Sequence, residues 1–247
     1  MAKQGGMGDN FYLSGYDLSG DIGSLGSISG GPALLDRTGI NKYGVERIGG
    51  RYEGSIEWSA WFNDSAGQEH SRLSLLPRTD QLASFHRGTS LGGEAANLMS
   101  KQVNYDASLG DDGGLSFDVE ASASAGYPLE WSTQLTAGKR TDTTATNGTG
   151  VDQSASSSFG LSAYLHVFSF TGTSVTVKIQ HSNDNASTDP YADITGATFT
   201  AATGVTFERV GTATGLTIKR WLRAVTTGTF SNAVFSCSAT RYLTVGP

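Results

Sequence analysis

The chain has 247 residues, a net charge of −6, 37% hydrophobic residues, 33 glycines and one cysteine. A single cysteine excludes an internal disulfide framework and a cysteine-built zinc site. No apolar run approaches the roughly 18 residues of a membrane helix, and the opening MAKQGGMGDN lacks the apolar core of a secretory signal. The charge is uneven: residues 1–137 hold 9 basic against 17 acidic side chains, and residues 138–247 hold 8 against 6. An acidic N-terminal portion repels phosphates, which argues against sequence reading of nucleic acid.

Residues 1–43 are Gly- and Ser-rich but keep apolar pegs at Tyr12, Leu13, Tyr16, Leu18, Ile22, Leu25 and Ile28. Their mixed spacing follows neither the helical nor the strand period. The expectation is an extended N-terminal arm whose pegs dock on a neighbouring copy. Residues 44–62 read as a long strand or a bent pair. Ile48, Tyr52, Ile56, Trp58 and Phe62 take one parity, and Arg47, Arg51, Glu53, Ser55, Glu57 and Ser59 take the other. Such alternation gives a dry and a wet face, with Gly49, Gly50 and Gly54 marking a bulge or bend. Residues 68–77 predict a short helix stopped by Pro77, and 80–88 and 95–106 predict two strands. In 115–126, Leu115, Phe117, Val119, Ala121 and Ala123 alternate with Ser116, Asp118, Glu120, Ser122 and Ser124. Residues 44–137 thus form a first β domain.

Residues 138–158 are nearly free of apolar side chains and predict a linker or exposed loop. Beyond it, 159–170, 173–182, 191–200, 205–210, 215–226 and 230–245 predict short strands. Near-regular spacing with turns between makes 159–247 a C-terminal β-sandwich.

No catalytic, cofactor or metal site emerges. HExxH and a phosphate-binding GxxxxGK loop are missing from the sequence. His70, His86, His166 and His181 stand outside any ligand cluster, so His166 and His181 read as structural. The glycines of GDIGSLGSISGG lack the strand and helix that would aim amides at a phosphate. Asp111, Asp112, Asp184, Asn185 and Asp189 read as turn residues before calcium ligands. Glu53, Glu57, Asp118 and Glu120 contain the carboxylates of a glycosidase pair, but on regular strands they read as a solvated acidic face. Cys237, among Ala233, Phe235 and Ala239 on one parity, reads as core.

Three stretches together resemble the major tail proteins of siphophages, particularly those of actinobacterial phages. The opening carries SGYDLSGDIGSLGSISGG and LLDRTGINKYGVERIGGRYEGSIEW. The middle carries KQVNYDASLGDDGGLSFDVEASASAGYPLEWSTQLTAGKRTDTTATNGT, and the end carries SVTVKIQHSNDNASTDPYADITGATF and TIKRWLRAVTTGTFSNAVF. The resemblance spans nearly the whole chain and contains no chemical motif. It implies a mainly β fold: a tail-tube-type barrel or sandwich with long hairpins and one short helix, plus the C-terminal sandwich. It also implies homo-hexameric rings stacked into a tube that passes DNA without binding it. Further expected partners are the tape measure, tail terminator and baseplate or tip proteins. Such a protein is made in the host cytoplasm and resides in the virion tail, with no membrane contact and no enzymatic activity. Glu53, Ser55, Glu57, Ser59, Asp118, Glu120 and Ser122 would face the lumen, where a hydrated, phosphate-repelling wall suits passing DNA. The alternative is a carbohydrate-binding or capsid-decorating sandwich that stacks sugars on Trp221, Tyr164 and Tyr191. In that reading Lys219 and Arg223 flank Trp221. The simpler role of such cations is to keep strand edges apart.

Overall fold

The computed structural model describes residues 7–244. In chain order, β1 (Asn10–Leu13), β2 (Tyr16–Asp17), β3 (Ile22–Asp36) and β4 (Arg47–Trp61) precede the helix α1 (Glu69–Leu73). Then come β5 (Gln81–His86), β6 (Glu94–Gln102), β7 (Asp106–Leu109), β8 (Leu115–Ala123) and β9 (Glu130–Gln134). The C-terminal part holds β10 (Arg140–Asp142), β11 (Val151–Asp152), β12 (Leu161–Ser182), β13 (Ala192–Thr198), β14 (Thr206–Gly211) and β15 (Trp221–Arg241). All belong to one 15-stranded sheet with the path β13-β12-β15-β9-β6-β5-β1-β2. The branch β3-β4-β8-β7 joins this path where β8 pairs with β6. The mainly β expectation is met.

The N-terminal segment is no free arm. Its pegs belong to this chain's own fold: Tyr12, Leu13 and Leu18 are buried along with their neighbour Phe11, and Tyr16, Ile22, Leu25 and Ile28 pack against the core beside Ile56 and Trp58. β3 runs antiparallel to β4, with Ile22 opposite Ala60, Leu25 opposite Trp58 and Ile28 opposite Ile56. The register slips between Ile22 and Ser24 and again between Leu25 and Ser27. Gly23 and Gly26 are the extra residues, and each is a β-bulge that stretches a two-residue period to three. That is why the strand hides from a search for alternation.

β4 and β8 follow the expected alternation closely. Ile56, Trp58 and Ala60 on one strand, and Phe117, Val119 and Ala121 on the other, are buried. Ile48, Tyr52 and Phe62 depart from the expected dry face, for all three are exposed. Ile48 and Tyr52 lie toward the distal end of the hairpin, and the slip between Pro32 and Leu34 puts Ile48 opposite Leu35. Gly54 serves another purpose than bending. A Cβ there would lie 2.6 Å from Leu129 Cβ and 2.9 Å from its backbone nitrogen, so the missing side chain lets the 124–129 connection cross the sheet.

The expected strand pairs 159–170 with 173–182, and 215–226 with 230–245, are two long strands. β12 and β15 pair from Leu161 opposite Arg241 to Ser182 opposite Trp221, with slips around 167–174. Gly172 (φ 149°) and Gly228 (φ 121°) mark that stretch. A Cβ on Gly172 would stand 2.4 Å from Phe230 Cα, a contact no larger residue could make. Leu161, Leu165 and Val167 from one end of β12, and Val175, Val177 and Ile179 from the other, enter a single core with Leu222, Phe235 and Cys237. The ribbon thus folds its two ends onto one interior, giving the sandwich-like packing that alternating strands need to bury a face.

Residues 138–158 do not hang between separate sheets. β10 pairs with β15 at Arg140 opposite Phe235, and β11 pairs with it at Val151 opposite Leu222. A polar chain stitches the halves together. His166 Nδ1 accepts from the Gly15 amide at 3.1 Å, so its proton sits on Nε2 and is donated to Ser84 Oγ at 2.8 Å. Ser84 donates to Asn97, which donates in turn to Ser132 and Ser238. Burial holds the His166 imidazole well below its usual range, with the nearby His86 adding to the shift. The imidazole is therefore neutral, and a hydrogen-bonded neutral group is what a dry seam tolerates.

Candidate functional site

The four-stranded branch gathers the acidic residues singled out in the sequence. Across β4 and β8, Ser55 stands opposite Ser122, Glu57 opposite Glu120 and Ser59 opposite Asp118. Directly opposed residues of antiparallel strands project from the same face, so these six share a surface. β3 adds Ser27 opposite Glu57, Ser29 opposite Ser55 and Gly31 opposite Glu53. β7 adds Asp106 opposite Asp118 and Ser108 opposite Ser116. The residues that β3 and β7 contribute were missed in the sequence, one group behind bulges and the other in a four-residue strand.

The surface is made of serine, glycine and carboxylate. Ser29 and Ser55 hydroxyls bond at 2.8 Å, and Ser122 donates to Glu120 Oε1 at 3.0 Å. Glu57 facing Glu120 is a like-charge pair, which opposes the isolated sheet by a fraction of a kcal/mol, roughly 0.2–1. Lys101, opposite Ser122, is engaged by Asp80 at 2.8 Å and does not neutralise the carboxylates. An open groove of about 710 Å3 runs over Ser29, Gly31, Glu53, Ser55, Glu120 and Ser122. It is wet, polar and negative.

Both lateral edges of the branch are open among the described residues, since β3 pairs only with β4 and β7 only with β8. β3 carries no charged residue from Ile22 to Leu35. Sheet edges are ordinarily guarded by charge, shortness or cover, and this one has only Pro32. Beyond it the hairpin tip exposes Leu34, Leu35, Ile40, Tyr43, Val45, Ile48 and Tyr52. Contiguous exposed apolar residues of that number mark a contact surface.

The sugar-stacking candidates are not brought together. Tyr164 is buried at 1% exposure, Arg223 lies over the Tyr191 ring at 4.1 Å, and Trp221 is half-buried. Lys219 is held by Asp189 and Arg220 by Asp152. Asp184 accepts from the Thr188 and Asp189 amides at 2.7 and 3.1 Å, and Asp112 from the Gly114 amide at 2.9 Å. These carboxylates close turns, and the loop's own donors pull Asp184 down to about 2, led by the Thr188 hydroxyl. Among the described residues no three His, Cys, Asp or Glu are grouped to hold a metal ion, and no helix is long and apolar enough to cross a membrane. Cys237 is fully buried, and burial pushes its thiol up to about 12; such a thiol is inert.

One titratable cluster went unnoticed in the sequence. Glu69 opens α1 and is fully buried, with Tyr105 donating to Oε2 at 3.1 Å and Oε1 left without a partner. Its backbone amide donates to Asp21 Oδ2 at 3.2 Å. Burial lifts the carboxyl to about 7, opposed by the Tyr105 hydroxyl and aided by Asp21. The helix is five residues long, too short for any periodic signal to expose that burial.

No family model and no curated protein matches the chain. Solved structures superpose on it in part. One is the Dit protein of phage SPP1, described as a hub of the adsorption apparatus in phages infecting Gram-positive bacteria. It is 13% identical, covers 94% of this chain and 99% of that one, and has a TM-score of 0.34. Two others come from the phage p2 baseplate in its activated conformation. The strontium form is 10% identical over 96% of this chain and 99% of that one, with a TM-score of 0.33. The calcium form is 12% identical over 97% and 100%, with a TM-score of 0.29. Superpositions this loose carry no argument about the chain's architecture or role.

Proposed function

We propose that the protein is a non-enzymatic structural subunit of a bacteriophage tail, joining copies of itself edge to edge into rings that stack into the tail tube. The observation that supports this most is the uncharged, unguarded edge of β3 beside an acidic sheet face. The branch has four strands of alternating direction, an even number. If β7 of one copy meets β3 of the next in the same orientation, the new joint is again antiparallel, so a ring of any size closes without a defect. Closure removes both exposed edges of the branch and buries apolar hairpin side chains against neighbours.

The carboxylate and serine face then lines the channel, with Glu53, Ser55, Glu57, Ser59, Asp118, Glu120 and Ser122 toward the lumen. Repulsion between that wall and phosphate lets DNA slide without binding. Tape measure, terminator and baseplate proteins would meet the ring at its ends. The N-terminal pegs are not proposed as ring linkers, because their side chains are already spent on the intrachain core.

Negative-stain electron microscopy with sedimentation of the purified protein tests the proposal. Rings that stack into tubes are expected. The Ser27→Lys, Ser29→Lys double variant, which places cations on the open edge, should remain single-copy with an unchanged melting temperature. Rings that never stack would narrow the role to a single-ring hub. A wild-type protein that stays single-copy at high concentration sinks the proposal.

A further inference from the structure

A cavity of about 230 Å3 opens beside the end of β14, with walls that include Tyr127, Phe159, Ser162, Arg209 and Tyr242. Arg209 dominates its chemistry. Its side chain is 8% exposed and pairs at 3.1 Å with Glu130, whose side chain is 4% exposed. The Tyr127 ring lies 3.6 Å from the guanidinium carbon. Nε donates to the Tyr164 hydroxyl at 3.3 Å, and Nη2 donates to Ser162 Oγ at 2.5 Å and the Tyr242 hydroxyl at 3.3 Å. Nη1 has no partner among the described residues.

That nitrogen is open to the cavity for a specific reason. A Cβ on Gly211 would stand 3.5 Å from Nη1, an ordinary contact, so a side chain that extends well past Cβ at this cavity-lining position would cover it, and glycine leaves it bare. An accessible N–H donor without a protein acceptor is met by water or by a ligand. The field around it is neutral, since Glu130 cancels the guanidinium charge and its other oxygen accepts from Tyr242. A carboxylate or phosphate gains little there. A neutral acceptor does not suffer that loss.

We propose that this cavity binds a single neutral pyranose unit, its apolar face against Tyr127 and Phe159 and one hydroxyl oxygen accepting from Arg209 Nη1. The volume is below that of drug-sized pockets and suits one ring. The Ser162 and Tyr242 hydroxyls bond each other and Tyr242 donates to Glu130, so the donor left for the ligand is Arg209 Nη1. Neither Trp221 nor any residue of β3 or β7 lines the site.

Saturation-transfer NMR on the full chain tests it, using the methyl glycosides of glucose, galactose, rhamnose and N-acetylglucosamine, with acetate and inorganic phosphate as competitors. Transfer to the ring protons of at least one glycoside is expected, undisturbed by either anion. Gly211→Leu, which covers Nη1, should weaken that glycoside about tenfold or more at an unchanged melting temperature. Should that variant fail to fold, Thr214→Trp, an exposed substitution on the cavity wall, should do the same. Silence from all four glycosides, undiminished binding in the blocked variant, or displacement by phosphate or acetate would overturn the assignment.

Discussion

Two long antiparallel ribbons in this molecule meet opposite fates. The β12–β15 ribbon folds at 168–174 and brings both of its ends into one core, so Leu165, Val177 and Phe235 are all essentially inaccessible. The β3–β4 ribbon buries only its proximal part, on Ile56 and Trp58, and leaves Leu34, Ile48 and Tyr52 in solvent. Both have the apolar content for packing. The first satisfies it within one chain, and the second leaves its distal apolar residues exposed. Length of ribbon does not decide the matter; the presence of a fold-back does.

The contrast breaks most sharply at the first core. Phe235→Ala removes a ring with no measurable exposure and should cost about 3–5 kcal/mol in urea unfolding. Loss below about 1 kcal/mol would mean that the two ends of β12 do not share an interior. Gly54→Val comes next. Its side chain would meet Leu129 at the crossing, so a loss of about 1–3 kcal/mol is expected, together with weakened proteolytic protection of the 124–129 connection.

Glu69 sharpens the comparison through pH. Its folded value of about 7 lies above the ordinary 4.5, so the unfolded chain releases this proton first. The stability it contributes is complete below about pH 4.5 and is lost as pH rises through 7. Denaturation midpoints of wild type and Glu69→Gln should therefore diverge on the alkaline side, with the glutamine variant the more resistant. Parallel curves from pH 5 to 9 would show that the carboxyl is not held neutral. The smallest effect on folding belongs to the hairpin tip. Leu34→Ser with Ile48→Ser should shift single-copy stability by no more than about 0.5 kcal/mol while abolishing self-association in sedimentation. A large melting shift would place the tip in the intrachain core.

The parts legible in the sequence were those where local period and tertiary burial agree. β4 and β8 alternate cleanly between Ile56 and Ser59 and from Leu115 to Ala123, and the structure buries Ile56, Trp58, Phe117, Val119 and Ala121 among the dry positions. The acidic face was readable because nothing interrupts it. β12 and β15 were each read as two strands, since exposed residues around Gly172 and Gly228 look like turns. A turn and a bulged bend in a continuous strand draw on the same residues. β9, β10 and β11 were lost because strands of two to five residues are set by their partners along β15 and β6 rather than by their own composition. The Arg209 cavity was invisible for a different reason: Tyr127, Phe159, Arg209 and Tyr242 converge only through tertiary folding.

The two glycine bulges of β3 carry a mechanical consequence. With Gly23 and Gly26 removed, the strand reads Ile22, Ser24, Leu25, Ser27, Ile28, Ser29, an uninterrupted in-and-out alternation. A shortened chain lacking both glycines would keep every side chain on its present face and surrender only the added coil that bulges impart to a strand. Curvature at that flank would thereby become adjustable separately from chemistry, and the circumference of the proposed ring should respond to two residues that contribute no side chain at all.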